Sequence, residues 1–325
     1  MKSADVSVVI PVRNGAPEIR ACIDAILAQA APPREIIAID SGSTDETRDI
    51  IGEYPRVTLV KIPQEEFNHG ETRNLGARLA SSTFVAMTVQ DARPVTNTWI
   101  AALMSGVTDD KVAGVCGAQV VPHERDKNPV EWFRPQSRPE ISRYQFENPA
   151  DFHALSSVEK RRVCSWDNVT ALYRREVLLE IPFRKTTFAE DVLWSRDAIV
   201  AGWALAYNPR ARVFHYHGET EEFAFKRAIA SMYYRYLSTG DVPNAPSAAL
   251  AMARAAKCLF SESTLTFAER ERWLRYNWRN QRAVRRAIKL FQNAAAKGDA
   301  AIASLHEIHC GSAIIAAKSD AQLPI

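Results

Sequence analysis

Glu190 and Asp191 stand side by side ahead of an apolar-periodic run, Val192, Leu193, Ile199 and Val200, which predicts a short helix opening at the carboxylates. Two readings of this pair stay open. Acids in a first turn complement the helix dipole, and a carboxylate so placed can also act as a general base, for which the chain offers no other obvious group. Three further clusters carry chemistry. Asp40 closes an apolar run and leads into Ser41-Gly42-Ser43-Thr44-Asp45. A carboxylate at a strand end accepts a hydrogen bond either from a bound base or ribose or from its own turn backbone. Gln90-Asp91-Ala92-Arg93-Pro94 ends another apolar run, and His215 and His217 alternate along Val213-Phe214-His215-Tyr216-His217, on one strand face. Neither GxGxxG nor GxxxxGK[ST] occurs, which disfavours dinucleotide and P-loop sites.

The elements that must position these residues alternate. Val6 to Val12, Glu35 to Asp40, Val57 to Ile62 and Thr83 to Val89 read as buried strands, and Ala16 to Ala30, the stretch up to Gly52 and Gly70 to Ala80 read as helices between them. This alternation argues for a parallel α/β sheet with ligands at the C-terminal ends of its strands. Val112 to Val121 predicts a further strand, Tyr173 to Glu180 a helix, and Ala204 to His217 contains another strand. The polar, proline-bearing stretch His123 to Glu159 lacks periodicity and reads as a functional loop, a lid or disorder. From about Glu221 the chain turns helical, with a break at Asp241 to Pro246, a helix over Ala248 to Phe260, and a third from Thr266, where Thr266-x-x-Glu269 has the spacing of a capping box, to about Lys297. The tail after Gly298 is weakly amphipathic.

The 325 residues suffice for one large domain with an appendage, and 46% hydrophobic with 24% charged residues is ordinary for a globular chain. A net charge of +3 does not imply a nucleic-acid partner, and no nucleic-acid motif is present. Five scattered cysteines without a CxxC pair suggest neither zinc nor a disulfide framework, so a reducing cytoplasmic compartment is expected. No apolar run approaches the ~18 residues of a membrane span. The helix after Thr266 carries Arg270, Arg272, Arg275, Arg279, Arg282, Arg285, Arg286 and Lys289, interleaved with Trp273, Tyr276 and Trp278. It reads as a solvated face or as a peripheral contact with anionic membrane.

Val8-Val9-Ile10-Pro11-Val12-Arg13-Asn14, Asp40-Ser41-Gly42-Ser43-Thr44-Asp45, Asp91 and Glu190-Asp191 together resemble the family 2 glycosyltransferases of the GT-A fold, over roughly residues 5 to 220. Phe67-Asn68-His69-Gly70-Glu71-Thr72-Arg73-Asn74 and Gln90-Asp91-Ala92-Arg93-Pro94 narrow the resemblance to bacterial rhamnosyltransferases of surface-polysaccharide assembly, which usually carry a second Gly where this chain has Glu71. The resemblance implies an α/β, Rossmann-like mixed sheet over residues 1–220, as catalytic domain, with a helical appendage over 221–325. It implies a nucleotide-sugar pocket at Pro11, Arg13 (where Tyr or Phe is commoner), Asn14, Asp40, Arg73 near the diphosphate, Gln90 and Asp91. It also implies a Mg²⁺ or Mn²⁺ site at Asp91 with His215 or His217, Asp191 as base with Glu190 as an orienting or acceptor-binding group, and acceptor contacts at Trp166, Asp167 and Asn168. The activity implied is inverting transfer of L-rhamnose from dTDP-L-rhamnose to a lipid-linked glycan such as O-antigen or capsule. A different UDP- or dTDP-sugar donor, a catalytically silent nucleotide-binding module and a nucleotidyltransferase are the alternatives.

Overall fold

The computed structural model describes residues 3–132, 140–245 and 247–311. Pro135, Pro139, Pro246 and the end of the tail lie outside these. The strands are β1 (Ala4–Val12), β2 (Pro33–Asp40), β3 (Val57–Lys61), β4 (Phe84–Met87), β5 (Arg93–Pro94), β6 (Val112–Val120), β7 (Ser142–Tyr144), β8 (Ala171–Arg174) and β9 (Ala204–Phe214). They form one sheet in the order β3-β2-β1-β4-β8-β6-β9-β5, with β7 also on β9. The first four strands run parallel, as the alternation predicts. The sheet then turns mixed, because β8 pairs antiparallel with both β4 and β6, and β5 and β7 pair antiparallel with β9.

Both sheet faces are covered, which is why the strands are near-continuous apolar runs. Val6, Val8, Ile10 and Val12 of β1 face a core shared with Ile19, Ile23 and Ile26 of the helix Ala16–Leu27 and with Trp99. Val9, Ile37 and Ile39 point the other way, into a core with Ala77, Tyr173, Phe183 and Trp194. Helices His69–Leu79, Arg175–Glu180 and Glu190–Val200 cover that second face.

Two expectations are corrected. The stretch from Tyr173 is not helical throughout: Ala171–Arg174 is a strand, and the helix starts at Arg175. A short apolar run buried on both faces has no period to tell strand from helix. The stretch His123 to Glu159, expected as a loop or lid, carries helices Pro129–Trp132 and Pro149–Ala154, strand β7, and the start of helix Ser157–Val163. Ser156 and Glu159 cap that last helix reciprocally.

The chain divides into two compact units. One comprises residues 1–123, 134–186 and 190–216, and the other 124–133, 187–189 and 217–325. The second unit is helical: Glu221–Thr239, Ala248–Ser261, Phe267–Ala295 and, in the tail, Asp299–Cys310. The capping box predicted at Thr266 and Glu269 is present in full. Of the three aromatics interleaved with the arginines, Trp273 is buried against Leu259 and Leu265, and the Tyr276 hydroxyl accepts from the Glu219 N–H. Trp278 alone of the three is exposed, beside the exposed Arg275, Arg279, Arg282 and Arg286.

Candidate active site

The loops after β1 and β2 are laced together. Asn14 sits in left-handed backbone at φ 47. Its N–H donates to Ser43 Oγ at 2.9 Å, and its Oδ1 accepts the Thr44 N–H at 2.8 Å. The Gly15 N–H donates to Thr47 Oγ1 at 2.7 Å, and the Ala16 N–H to Asp45. Gln90 closes this arrangement from the third loop: its Oε1 accepts the Arg13 N–H at 2.7 Å and its Nε2 donates to the Arg13 carbonyl at 3.0 Å. A Cβ at Gly15 would stand 2.7 Å from Gln90 Oε1, so a side chain there would push the Gln90 amide out of this position. Pro11, Arg13, Asn14 and Gln90 thus converge on one rim, with Gln90 engaged by backbone.

Asp40 is fully buried at the end of β2. It accepts from the Gly42 and Ser43 N–H groups and, at 2.7 Å, from Arg48 Nε. A base reaching Asp40 must displace Arg48, a residue the sequence did not single out.

The Asp91 site follows from strand register. β5 pairs Arg93 with Phe214 and Pro94 with Val213, which clamps the loop after β4 to the end of β9. Asp91, two residues ahead of that pairing, therefore meets His215, one residue beyond it, with Oδ1 and Nε2 3.7 Å apart. Gln119 lies opposite Val213 on β6. Its Oε1 is 2.7 Å from His215 Nδ1, so Nδ1 carries the proton and Nε2 presents its lone pair towards Asp91. One carboxylate oxygen and one imidazole nitrogen suit Mg²⁺ or Mn²⁺ that keeps phosphate and water ligands. His217, the other histidine candidate, is the first residue of the second unit. Gln119 also donates to Asp167. The sequence signal for Gln119 was a lone amide near the end of an apolar strand.

On the other side of Asp167 lies the carboxylate pair. Glu190 and Asp191 occupy the first turn of helix Glu190–Val200. Asp191 is partly exposed, and its carboxylate accepts the Asn168 N–H at 3.1 Å and the Val192 N–H at 2.7 Å. Glu190 is buried, accepts from Asn168 Nδ2 at 3.0 Å and pairs with Arg73 at 3.0 Å. Arg73, expected near a diphosphate, is itself only 4% exposed and faces Glu190. Trp166 is likewise no open acceptor surface. It is buried, packs on Tyr173 and Trp194, and donates from Nε1 to the Tyr173 hydroxyl at 2.7 Å.

The two carboxyls have different environments. Burial, then the charge of Glu190 and then Asp167, push the Asp191 carboxyl up to about 8, against the pull of the Asn168 and Val192 N–H groups. Burial alone would raise Glu190 too, but Arg73 and other partners, Asn168 among them, hold it below its ordinary value. Neighbours that only the fold assembles thus set the proton affinity of Asp191.

The family model described as Glycosyl transferase family 2 matches residues 7–181. An O-antigen chain rhamnosyltransferase of Salmonella typhimurium is 30% identical over 227 residues, covering 68% of this chain and 69% of that protein. A second, from Salmonella anatum, is 31% identical over 228 residues, with 68% and 69% covered. Among solved structures, a mannosyltransferase from Pyrobaculum calidifontis, in complex with GDP-Man and Mn²⁺, superposes with a TM-score of 0.52 at 18% identity, over 96% of this chain and 81% of that one. S. aureus TarS 1-349 gives a TM-score of 0.52 at 16% identity, over 90% and 92%. These two likenesses concern the fold.

Two outcomes follow from the geometry. The folded state keeps a proton on Asp191 that the unfolded chain releases near pH ~4, so ionising this residue costs stability. Its contribution therefore falls as pH rises from about 4 towards about 8. Asp191→Asn is expected to flatten this slope in denaturant midpoints measured across that range. Gln119→Leu, which frees His215 to turn, is expected to weaken Mn²⁺ binding about 10- to 100-fold by titration calorimetry, and unchanged affinity would rule out Gln119 as the group that orients His215 for a metal.

Proposed function

The chain belongs to glycosyl transferase family 2, and from that premise we propose that it transfers L-rhamnose from dTDP-L-rhamnose, with inversion, to a growing lipid-linked polysaccharide such as O-antigen or capsule. It is a glycosyltransferase with the GT-A fold. The sugar and the pathway rest on the two Salmonella relatives, both named as O-antigen chain rhamnosyltransferases. Inverting chemistry rests on one observation above the others: Asp191 is a carboxyl of raised proton affinity with no ion-pair partner among the described residues to hold it, and its neighbour Glu190 is tied up by Arg73 and Asn168.

In this reading Asp191 accepts the proton of the acceptor hydroxyl as that oxygen bonds to the anomeric carbon. The bond from that carbon to the diphosphate oxygen breaks on the opposite face, and the nucleoside diphosphate leaves with the electron pair. A base with a proton affinity near neutrality takes the proton efficiently once the hydroxyl has become acidic in the transition state. Asp91 and His215 would hold a divalent cation, with His217 as a further candidate ligand, and that ion supplies charge compensation for the departing diphosphate. Support for a metal comes from the Gln119-oriented imidazole and from Mn²⁺ in the mannosyltransferase complex. Pro11, Arg13, Asn14, Asp40, Gln90 and Asp91 are the proposed donor-side residues, and Asp167 and Asn168 the acceptor side. Among the described residues no helix is long and apolar enough to cross a membrane. The exposed arginines of helix Phe267–Ala295 support peripheral contact with an anionic surface, where a lipid-linked acceptor would be found.

The donor assignment predicts turnover with dTDP-L-rhamnose and none with UDP-hexoses. The reverse pattern points to the other-donor reading, and nucleotide binding without any transfer to the silent-module reading. Asp191→Asn is expected to lower kcat by at least about 100-fold with donor affinity retained, and full transfer by that variant refutes the base. Co-sedimentation with phosphatidylglycerol vesicles at low salt, lost on Arg282→Ala with Arg286→Ala, is expected from the surface proposal. Equal sedimentation of both proteins, or of neither, rejects it.

A further inference from the structure

We propose that the segment Asn68-His69-Gly70 with Arg73-Asn74 is a brace for the chain that carries Asp191, and that Arg73 and Glu190 are positioning residues for the base. The inference rests on Asp191 as that base, and it moves a motif that the resemblance had put beside the donor to the opposite side of the reaction.

The contacts converge on the approach to helix Glu190–Val200. Asn74 Nδ2 donates to the Phe183 carbonyl at 2.9 Å while its Oδ1 accepts the Phe183 N–H at 3.0 Å, both buried. This is a full two-bond grip on one peptide unit's flanks. Asn68 divides its amide: Oδ1 caps helix His69–Leu79 through the Gly70 and Glu71 N–H groups, and Nδ2 donates to the Thr186 carbonyl at 2.8 Å. A Cβ at Gly70 would collide with the Arg184 carbonyl oxygen, so only glycine lets the two segments lie this close. Arg184 in turn forks onto Asp197 with two bonds of 2.7 Å, fastening the segment to the base's own helix. Glu71, where relatives of the motif carry glycine, is exposed and contributes a backbone N–H to the cap but no side chain to this grip.

Arg73 completes the brace by charge. Its guanidinium and the Glu190 carboxylate are 5% and 7% exposed and 3.0 Å apart. On the far side of Glu190 a buried chain of donors runs one way: Trp166 Nε1–H to the Tyr173 oxygen, Tyr173 O–H to Asn168 Oδ1, and Asn168 Nδ2–H to Glu190. Each donor points towards Glu190, so the chain ends on an ionised carboxylate. The same Asn168 gives its backbone N–H to Asp191. Glu190 is thus a fixed anion beside the base, and Asn168 links the orientation of the two carboxylates. The groups facing Asp191 are Glu190 on its own helix, Asp167 and Asn168 ahead of β8, Tyr173 on β8 and Cys116 on β6. Glu190 is the nearest like charge among them in sequence and the larger of the two carboxylate influences.

The test measures kcat, the pH profile of kcat/KM, and the dissociation constant of dTDP by calorimetry in five variants. Glu190→Gln removes the like charge, so the rising limb of kcat/KM should move to lower pH by about 1 unit or more, with kcat reduced and dTDP affinity within about threefold. Arg73→Lys should recover most of the kcat that Arg73→Met loses, since it keeps the cation. If Arg73→Met fails to fold because Glu190 is left unpaired, the double variant Arg73→Met with Glu190→Gln keeps the site neutral and should show the same downward shift. Glu71→Ala should leave all three readings unchanged. An unmoved limb in both Glu190→Gln and the double variant overturns the proposal. So does a tenfold or greater loss of dTDP affinity in Arg73→Met or the double variant, which would return Arg73 to the diphosphate. Failure of the base itself is separable, because full kcat in Asp191→Asn sinks that reading whatever the brace variants do.

Discussion

A buried ion pair between Arg73 and Glu190 constrains much of what surrounds it. Two charges taken out of water are tolerated only when each finds the other and their remaining polar atoms find partners. Glu190 is further held by Asn168, and Arg73 Nη1 donates to the His69 carbonyl at 3.2 Å, while Arg73 Nε is buried without a hydrogen-bond partner among the described residues. Helix His69–Leu79 must therefore lie against the start of helix Glu190–Val200, and the loop holding Asn168 must close over both. Losing one partner alone would leave the other charge buried and uncompensated, a cost of about 3–5 kcal/mol. Asp191, next along the chain, takes its environment from this arrangement.

The rim formed by the loops after β1, β2 and β4 is built by a different device. Three strand-end loops come together because β2, β1 and β4 are parallel neighbours, so that the ends of all three open at the same edge. Parallel neighbours alone would leave those loops free to wander. Asn14, Ser43, Thr44, Thr47 and Gln90 tie them through backbone N–H and carbonyl groups that would otherwise lack protein partners. The side chains that look in the sequence like ligands of a nucleotide are, in part, ligands of the loops. Gln90 holds Arg13 by its backbone, and Asp40 holds its own turn and Arg48.

Between the two lies a polar path from Asp91 to His215, Gln119 and Asp167. It depends on β5, a strand of two residues that is antiparallel to β9, and on β6, which is parallel to β9. Without the antiparallel clamp the loop after β4 would have no reason to meet the end of β9. Mixing strand directions in one sheet is thus what brings a residue near position 90 beside one near 215.

The amino-acid sequence by itself determined the first half of the sheet, the helical C-terminal part, both ends of the capping box at Thr266, and the candidates Asp40, Asp91, Asp191 and His215. These are local signals: apolar period, turn residues, and acids placed where strands end or a helix starts. It could not assign Ala171–Arg174 to a strand, since four buried residues carry no period. It did not find Gln119, Arg48 or Tyr173, whose importance lies in partners 96, 8 and 5 residues away that only pairing across the fold supplies. The resemblance implied Arg73 near a diphosphate and Trp166 among acceptor contacts, because residue type says what a side chain is able to bind, whereas only the fold shows that both are buried. The proton affinity of Asp191 belongs wholly to the tertiary structure, because desolvation and the charges of Glu190 and Asp167 exist at that carboxyl only after the chain has folded.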